Sequence, residues 1–144
     1  REFAATKDKV WTAWTDAKIL DQWWAPKPWQ AVTVSMNFAV GGRWLYYMLG
    51  PEGERHYSYA DYKAIDTGES YRATDGFCDE NGNENNDWPH MHWHNTFTAK
   101  GEHTMVDIII TFDKLEDLEQ IVEMGFKEGF TAGMENLDAL FEGK

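Results

Sequence analysis

The chain has 144 residues, enough for one domain, and its 13 basic and 25 acidic residues leave a formal net charge of −12. Nucleic acids and anionic membrane surfaces both demand a basic footprint, so this balance excludes them as partners. Eight Trp, six Tyr and eight Phe in a 42% hydrophobic composition exclude a disordered chain, because so much apolar surface offsets the entropy of folding. A single cysteine, Cys78, excludes an internal disulfide framework and a four-thiolate zinc site. No apolar run approaches the roughly 18 residues of a membrane span, and no cationic–apolar leader opens the sequence. The compartment these features suggest is the cytoplasm.

In chain order, Arg1-Glu2-Phe3 reads as the tail of a strand, which suggests that a short segment precedes it. Thr6 then offers a cap for a short helix whose apolar stripe is Val10, Ala13 and Trp14. Thr15 or Asp16 caps a second helix with Leu20, Trp23 and Trp24 on one face, and Ala25-Pro26-Lys27-Pro28 stops it. This helix-turn-helix shape lacks the basic recognition helix that DNA binding requires.

From residue 31 the apolar period changes to two. Val32, Val34, Met36 and Phe38 alternate as the inner face of a strand, Gly41-Gly42 breaks it, and Trp44, Tyr46 and Met48 alternate in the next. Gly50-Pro51-Glu52-Gly53 turns the chain into a long run from Arg55 to Ile65, and Asp66-Thr67-Gly68-Glu69 turns it again before Tyr71 to Phe77. Asp79 to Asp87 has no apolar side chain and reads as a solvated loop. Met91, Trp93 and Phe97 mark a fifth strand and Met105 to Phe112 a sixth. Six strands at short spacing imply an antiparallel meander.

The last 30 residues return to helical spacing, with an acidic cap at Asp113 to Glu116. Leu118, Ile121, Val122, Phe126, Phe130, Met134, Leu137, Leu140 and Phe141 predict one long amphipathic helix. Gly125, Gly129 and Gly133 line a stripe of it, each at a cost of about 1 kcal/mol relative to Ala. Two explanations stand side by side. Either the glycines let the helix approach the sheet closely, or they bend it and leave room for a guest.

Catalytic signatures are sparse. There is no Gly-x-Ser-x-Gly elbow, phosphate loop, dinucleotide fingerprint or His-Glu-x-x-His, and Asp79 and Glu80 beside Cys78 disfavour a thiolate. His90, His92 and His94 alternate on one strand face with Asp87 nearby, a donor set suited to zinc, nickel or copper. Same-face neighbours on a strand stand about 7 Å apart, which argues against convergence on one ion. The expectation is no metal and no cofactor. His56, with Tyr57 or Tyr59 and Asp61, is the strongest candidate for acid–base chemistry.

Several segments together resemble a known family: Val10-Trp11-Thr12-Ala13-Trp14-Thr15-Asp16, Trp23-Trp24-Ala25-Pro26, Gly41-Gly42-Arg43-Trp44, Met48-Leu49-Gly50-Pro51-Glu52-Gly53 and Gly125-Phe126-Lys127-Glu128-Gly129-Phe130. They resemble the single-domain homologues of the activator of heat-shock protein 90 ATPase, within the SRPBCC or START-like superfamily. The resemblance implies an α+β helix-grip fold over residues 1–144. In it, six to seven antiparallel strands curve around a long C-terminal helix and two short helices follow the first strand. It also implies an apolar cavity between sheet and helix.

Strand parity connects that implication to particular residues. Met91, Trp93 and Phe97 share one face, and Trp44, Tyr46 and Met48 form another inward set. With Trp24, Tyr62, Phe130 and Met134 these give the expected cavity lining of Trp24, Trp44, Tyr46, Met48, Tyr62, Trp93, Phe97, Phe130 and Met134. The first functional reading is non-enzymatic binding of a small hydrophobic molecule, in a stress or detoxification setting, by a monomer or weak homodimer. The second is an interaction module that partners a heat-shock protein 90 homologue. The third is a cyclase- or hydrolase-like enzyme using the same cavity.

Overall fold

A computed structural model describes residues 1–143. The strands are β1 (Glu2–Phe3), β2 (Gln30–Met36), β3 (Arg43–Leu49), β4 (Arg55–Asp66), β5 (Ser70–Phe77), β6 (Met91–Lys100) and β7 (His103–Thr111). The helices are α1 (Lys7–Thr15), α2 (Ala17–Trp23), α3 (Leu115–Glu123) and α4 (Phe126–Gly143). All seven strands form one antiparallel sheet in the order β1-β7-β6-β5-β4-β3-β2. The two-residue β1 pairs with β7, so the first strand lies beside the last, and the meander β2 to β7 begins at the opposite edge. The helices pack on one face of this sheet, which is the helix-grip arrangement.

The two short helices form one buried end. Val10, Ala13 and Trp14 of α1 and Leu20 and Trp23 of α2 are buried, as their spacing requires. The Trp23 indole donates to the Ala13 carbonyl oxygen at 2.9 Å and so joins the helices. Asp16 is the cap of α2, accepting from the Lys18 backbone N–H at 2.8 Å. Thr6 stands at the start of α1 without a capping bond, and Lys114, not Asp113, occupies that position for α3. Asp113 bonds instead to His92.

Two expectations need correction. In β2 the pairing runs from Thr33 opposite Tyr46 directly to Ser35 opposite Leu45, so Val34 is an extra residue and is 51% exposed. This bulge shifts the parity: Ala31 and Thr33 face inward before it, Met36 and Phe38 pack on the core after it. The final helix is also two helices. Gly125, at φ +87°, separates α3 from α4 in a conformation L side chains rarely adopt. The apolar spacing runs across this break, which is why periodicity alone read one helix.

The three glycines therefore have three different roles. Gly125 ends a helix. At Gly133 an added Cβ would lie 3.1 Å from the carbonyl oxygens of both Trp23 and Trp24, so here α4 approaches the end of α2 closely. Asn136, one turn on, donates to the Ala25 carbonyl oxygen at 3.1 Å in the same contact. Gly129 has only Pro26 near it, at 3.7 Å, and faces open space.

Candidate functional site

The open space under Gly129 is a cavity of about 220 Å³ between the sheet and the α3–α4 break. Its sheet wall comes from Tyr46 and Met48 of β3, Ser58 of β4, Asp75 and Phe77 of β5, and Met91 and Trp93 of β6. Its helix wall comes from Ile121 and Met124 before the break, and Phe126 and Phe130 after it. Trp24 and Pro26 close one end, and the exposed side chains of His56 and Met124 mark the rim. An apolar cavity of about 150 Å³ takes up benzene, so this volume suits a molecule of one or two rings.

Alternation of side chains builds the sheet wall. Tyr46 lies opposite Ser58 across β3 and β4, and Asp75 lies opposite Met91 across β5 and β6. Trp24, Trp93, Phe126 and Phe130 meet largely edge to face, with ring centroids 5.3 to 6.0 Å apart where Trp93 touches Phe130 and Phe126. Such packing leaves a continuous aromatic surface.

The polar part of the site is small and buried. Trp24 donates its indole N–H to the Tyr46 hydroxyl oxygen at 3.0 Å. Trp93 donates to Asp75 Oδ2 at 3.0 Å, and Asp75 Oδ1 has no hydrogen-bond partner. Burial of Asp75, 8% exposed, pushes its carboxyl up to about 7, against the opposing influence of the Trp93 bond and the nearby Met91 backbone N–H. Tyr46 is pushed upward too, by burial first and then by the Asp75 charge, so its hydroxyl stays protonated. No Lys or Arg lines the cavity among the described residues.

A second space of about 30 Å³ lies deeper. Trp14 Nε1, Asp75 Oδ1 and Asn95 Oδ1, the unpartnered buried side-chain polar atoms among the described residues, all belong to residues that border it. Its volume is about the share of one molecule in liquid water.

Of the residues expected on the lining, Trp24, Tyr46, Met48, Trp93 and Phe130 are on it. Trp44 and Tyr62 border the smaller space instead, Phe97 is fully buried among Trp11, Trp14 and Tyr71, and Met134 packs half-buried on the core. Parity assigned Trp44 and Phe97 to the correct face, and Tyr62 and Met134, expected opposite such sets, also pack on the core, but all four lie nearer the closed end. Asp75 was missed. Its signal was available, since it shares parity with the inward residues Tyr71 and Ala73.

The other candidates separate from the cavity. His56 reaches its rim beside Trp29, while Tyr57, Tyr59 and Asp61 alternate to the opposite face. There Asp61 pairs with Arg43 at 2.6 Å and Tyr59 donates to Glu84 at 3.1 Å. Arg43 also donates to the Gly82 carbonyl oxygen at 2.9 Å and to Glu84 at 3.0 Å, so the acidic loop 79–87 is tied down at this point despite its exposure. His92 bonds Thr74 and Asp113, and His90 stands 3.9 Å from Glu84. No group of three His, Cys, Asp or Glu side chains positioned to hold a metal occurs among the described residues. The Cys78 thiol is pushed up by burial and by Asp79 and Glu84, against Arg43.

Residues 4–142 match the family model described as "Activator of Hsp90 ATPase homolog 1-like protein". The chain belongs to this family. Solved structures give the same result for the fold of this Hsp90 ATPase activator homologue-like chain. Protein Ms6760 from Mycobacterium smegmatis is 34% identical, with a TM-score of 0.88, covering 97% of this chain and 86% of its own. A protein from Arthrobacter aurescens is 31% identical with a TM-score of 0.93, covering 100% of this chain and 84% of its own. One from Staphylococcus epidermidis is 26% identical with a TM-score of 0.85, covering 97% and 85%. No curated protein matches the sequence. Among the described residues no helix is long and apolar enough to cross a membrane.

Proposed function

We propose that this member of the activator homologue-like family binds a small, largely apolar molecule in the cavity beneath the α3–α4 break, without chemical turnover. The supporting observation is the about 220 Å³ space itself, bounded by aromatic and Met side chains and left open by a helix break and a glycine. A packed interior has few voids larger than a water, so a cavity of this size stands out from the rest of the core. The volume favours compact one- or two-ring compounds over sterols. A lone Cys without a disulfide supports a cytoplasmic setting.

The test is a melting series with n-propylbenzene on the wild type and on Gly129→Leu, whose side chain would enter the cavity. A ligand that binds the native state raises the melting temperature by mass action. The wild type should gain several degrees at saturation and Gly129→Leu none. No shift in the wild type across such compounds would sink the reading.

A second reading rests on α3. Leu115, Leu118 and Val122 form a stripe, 69%, 40% and 49% exposed, that would suit a protein partner in the chaperone system named by the family. It requires a change in the ATPase rate of an Hsp90 homologue on addition of this protein. An unchanged rate retires it.

A further inference from the structure

We infer that the cavity selects a compact apolar molecule carrying a protonated amine, with the Asp75 carboxylate as its counter-ion and the Trp24, Trp93 and Phe130 rings around its apolar body. This rests on the binding proposal above and names the class of ligand.

Three features of the site converge on a cation. The first is an acceptor without a donor: Asp75 Oδ2 is bonded to Trp93, while Oδ1 has no partner. A buried acceptor left unpaired loses its hydration without replacement, which a ligand N–H makes good. The second is charge. Burial raises the Asp75 carboxyl to about 7, so roughly half the molecules at neutral pH hold an ionised acid, with no Lys or Arg on the described cavity walls and His56 at the exposed rim. One water in the smaller space can complete the bonds of Trp14 and Asn95, but it brings no counter-charge to Asp75. An ammonium brings both the hydrogen bond and the charge. The third is the aromatic surface, since ring faces attract a desolvated cation.

The same features reject anions. A fatty acid or other carboxylate would bring a second negative charge beside Asp75, and the net charge of −12 disfavours its approach. The selection is therefore between ligands of one shape and different head groups.

Calorimetry at pH 8 with 2-phenylethylamine, 2-phenylethanol and 3-phenylpropanoate separates these terms, because the aromatic body stays the same. The amine should bind at least tenfold more tightly than the alcohol, and the carboxylate should give no saturable binding. The preference should persist at high salt, which screens the diffuse attraction of a −12 surface but not a buried pair. In Asp75→Asn the amine should fall to the affinity of the alcohol. Should that variant fail to fold, the order of the three ligands on the wild type still decides. Equal binding of amine and alcohol overturns the inference and leaves the cavity reading standing. An amine preference that survives Asp75→Asn overturns it too. Binding of none of the three removes both.

Discussion

The space between sheet and helices has two ends, built from the same kinds of residue and packed differently. At the closed end Trp14, Trp23, Phe97 and Tyr71 interlock, and Trp11 and Trp14 both meet Phe97 edge to face. At the open end Trp24, Trp93, Phe126 and Phe130 also pack ring on ring, yet a space of about 220 Å³ remains beside them. Aromatic content does not separate the two. The backbone does: α1 and α2 cover the closed end, while Gly125 ends one helix and Gly129 contributes no side chain above the open one. A cavity here results from where the covering helices lack mass.

That contrast can be broken by mutation. Phe97→Ala at the closed end should cost about 3–5 kcal/mol, because its surroundings are rigid and a void would remain. Phe126→Ala, on a wall that already faces space, should cost no more than about 2 kcal/mol, since fewer contacts are lost. Equal losses in urea unfolding would erase the distinction between the ends.

Asp75 gives the next effect in size. An unfolded aspartate releases its proton near 4, whereas the buried carboxyl holds its proton up to about 7. Between these values the folded protein binds the extra proton, so stability falls as pH rises through this window and levels off above it. The cumulative penalty is on the order of 3–4 kcal/mol. Relative to Asp75→Asn, the wild type should lose stability from pH 4 to 7 and then run parallel. A constant difference between them across that range would contradict burial as the cause.

The glycines give the smallest effects, distinguished by sign. Gly129→Ala should stabilise by about 0.5–1 kcal/mol, since its Cβ meets only ordinary contact and the helix gains propensity. Gly125→Ala should destabilise by about 1 kcal/mol or more, because its φ is positive. Gly133→Ala should gain little or nothing, its propensity offset by two carbonyl oxygens at 3.1 Å. If all three moved melting temperature alike, the glycines would share one role after all.

The sequence carried the face of each residue better than its depth. Alternation assigned Tyr46, Met48 and Trp93 to the inner face, and it assigned Trp44 and Phe97 there equally. Period two says nothing of distance along the strand, and only the covering helices decide which inward rings border space. The break at Gly125 was hidden because Ile121, Val122 and Phe126 keep helical spacing across it. The bulge at Val34 was hidden because Val32, Val34 and Met36 alternate as an unbroken strand would. Asp75 escaped because an acid on an inward position contradicts the apolar pattern being sought, although such a contradiction is itself a marker of a working site.

The bond from Trp93 to Asp75 has an optical and magnetic consequence. Among the described residues Trp93 is the tryptophan whose indole N–H donates to a carboxylate, while Trp23, Trp24 and Trp44 donate to neutral oxygens. Its indole proton therefore senses whether the acid beside it is charged, and its ring borders the place a guest would occupy. The protein carries its own label, in one side chain, for both the charge and the occupancy of its cavity.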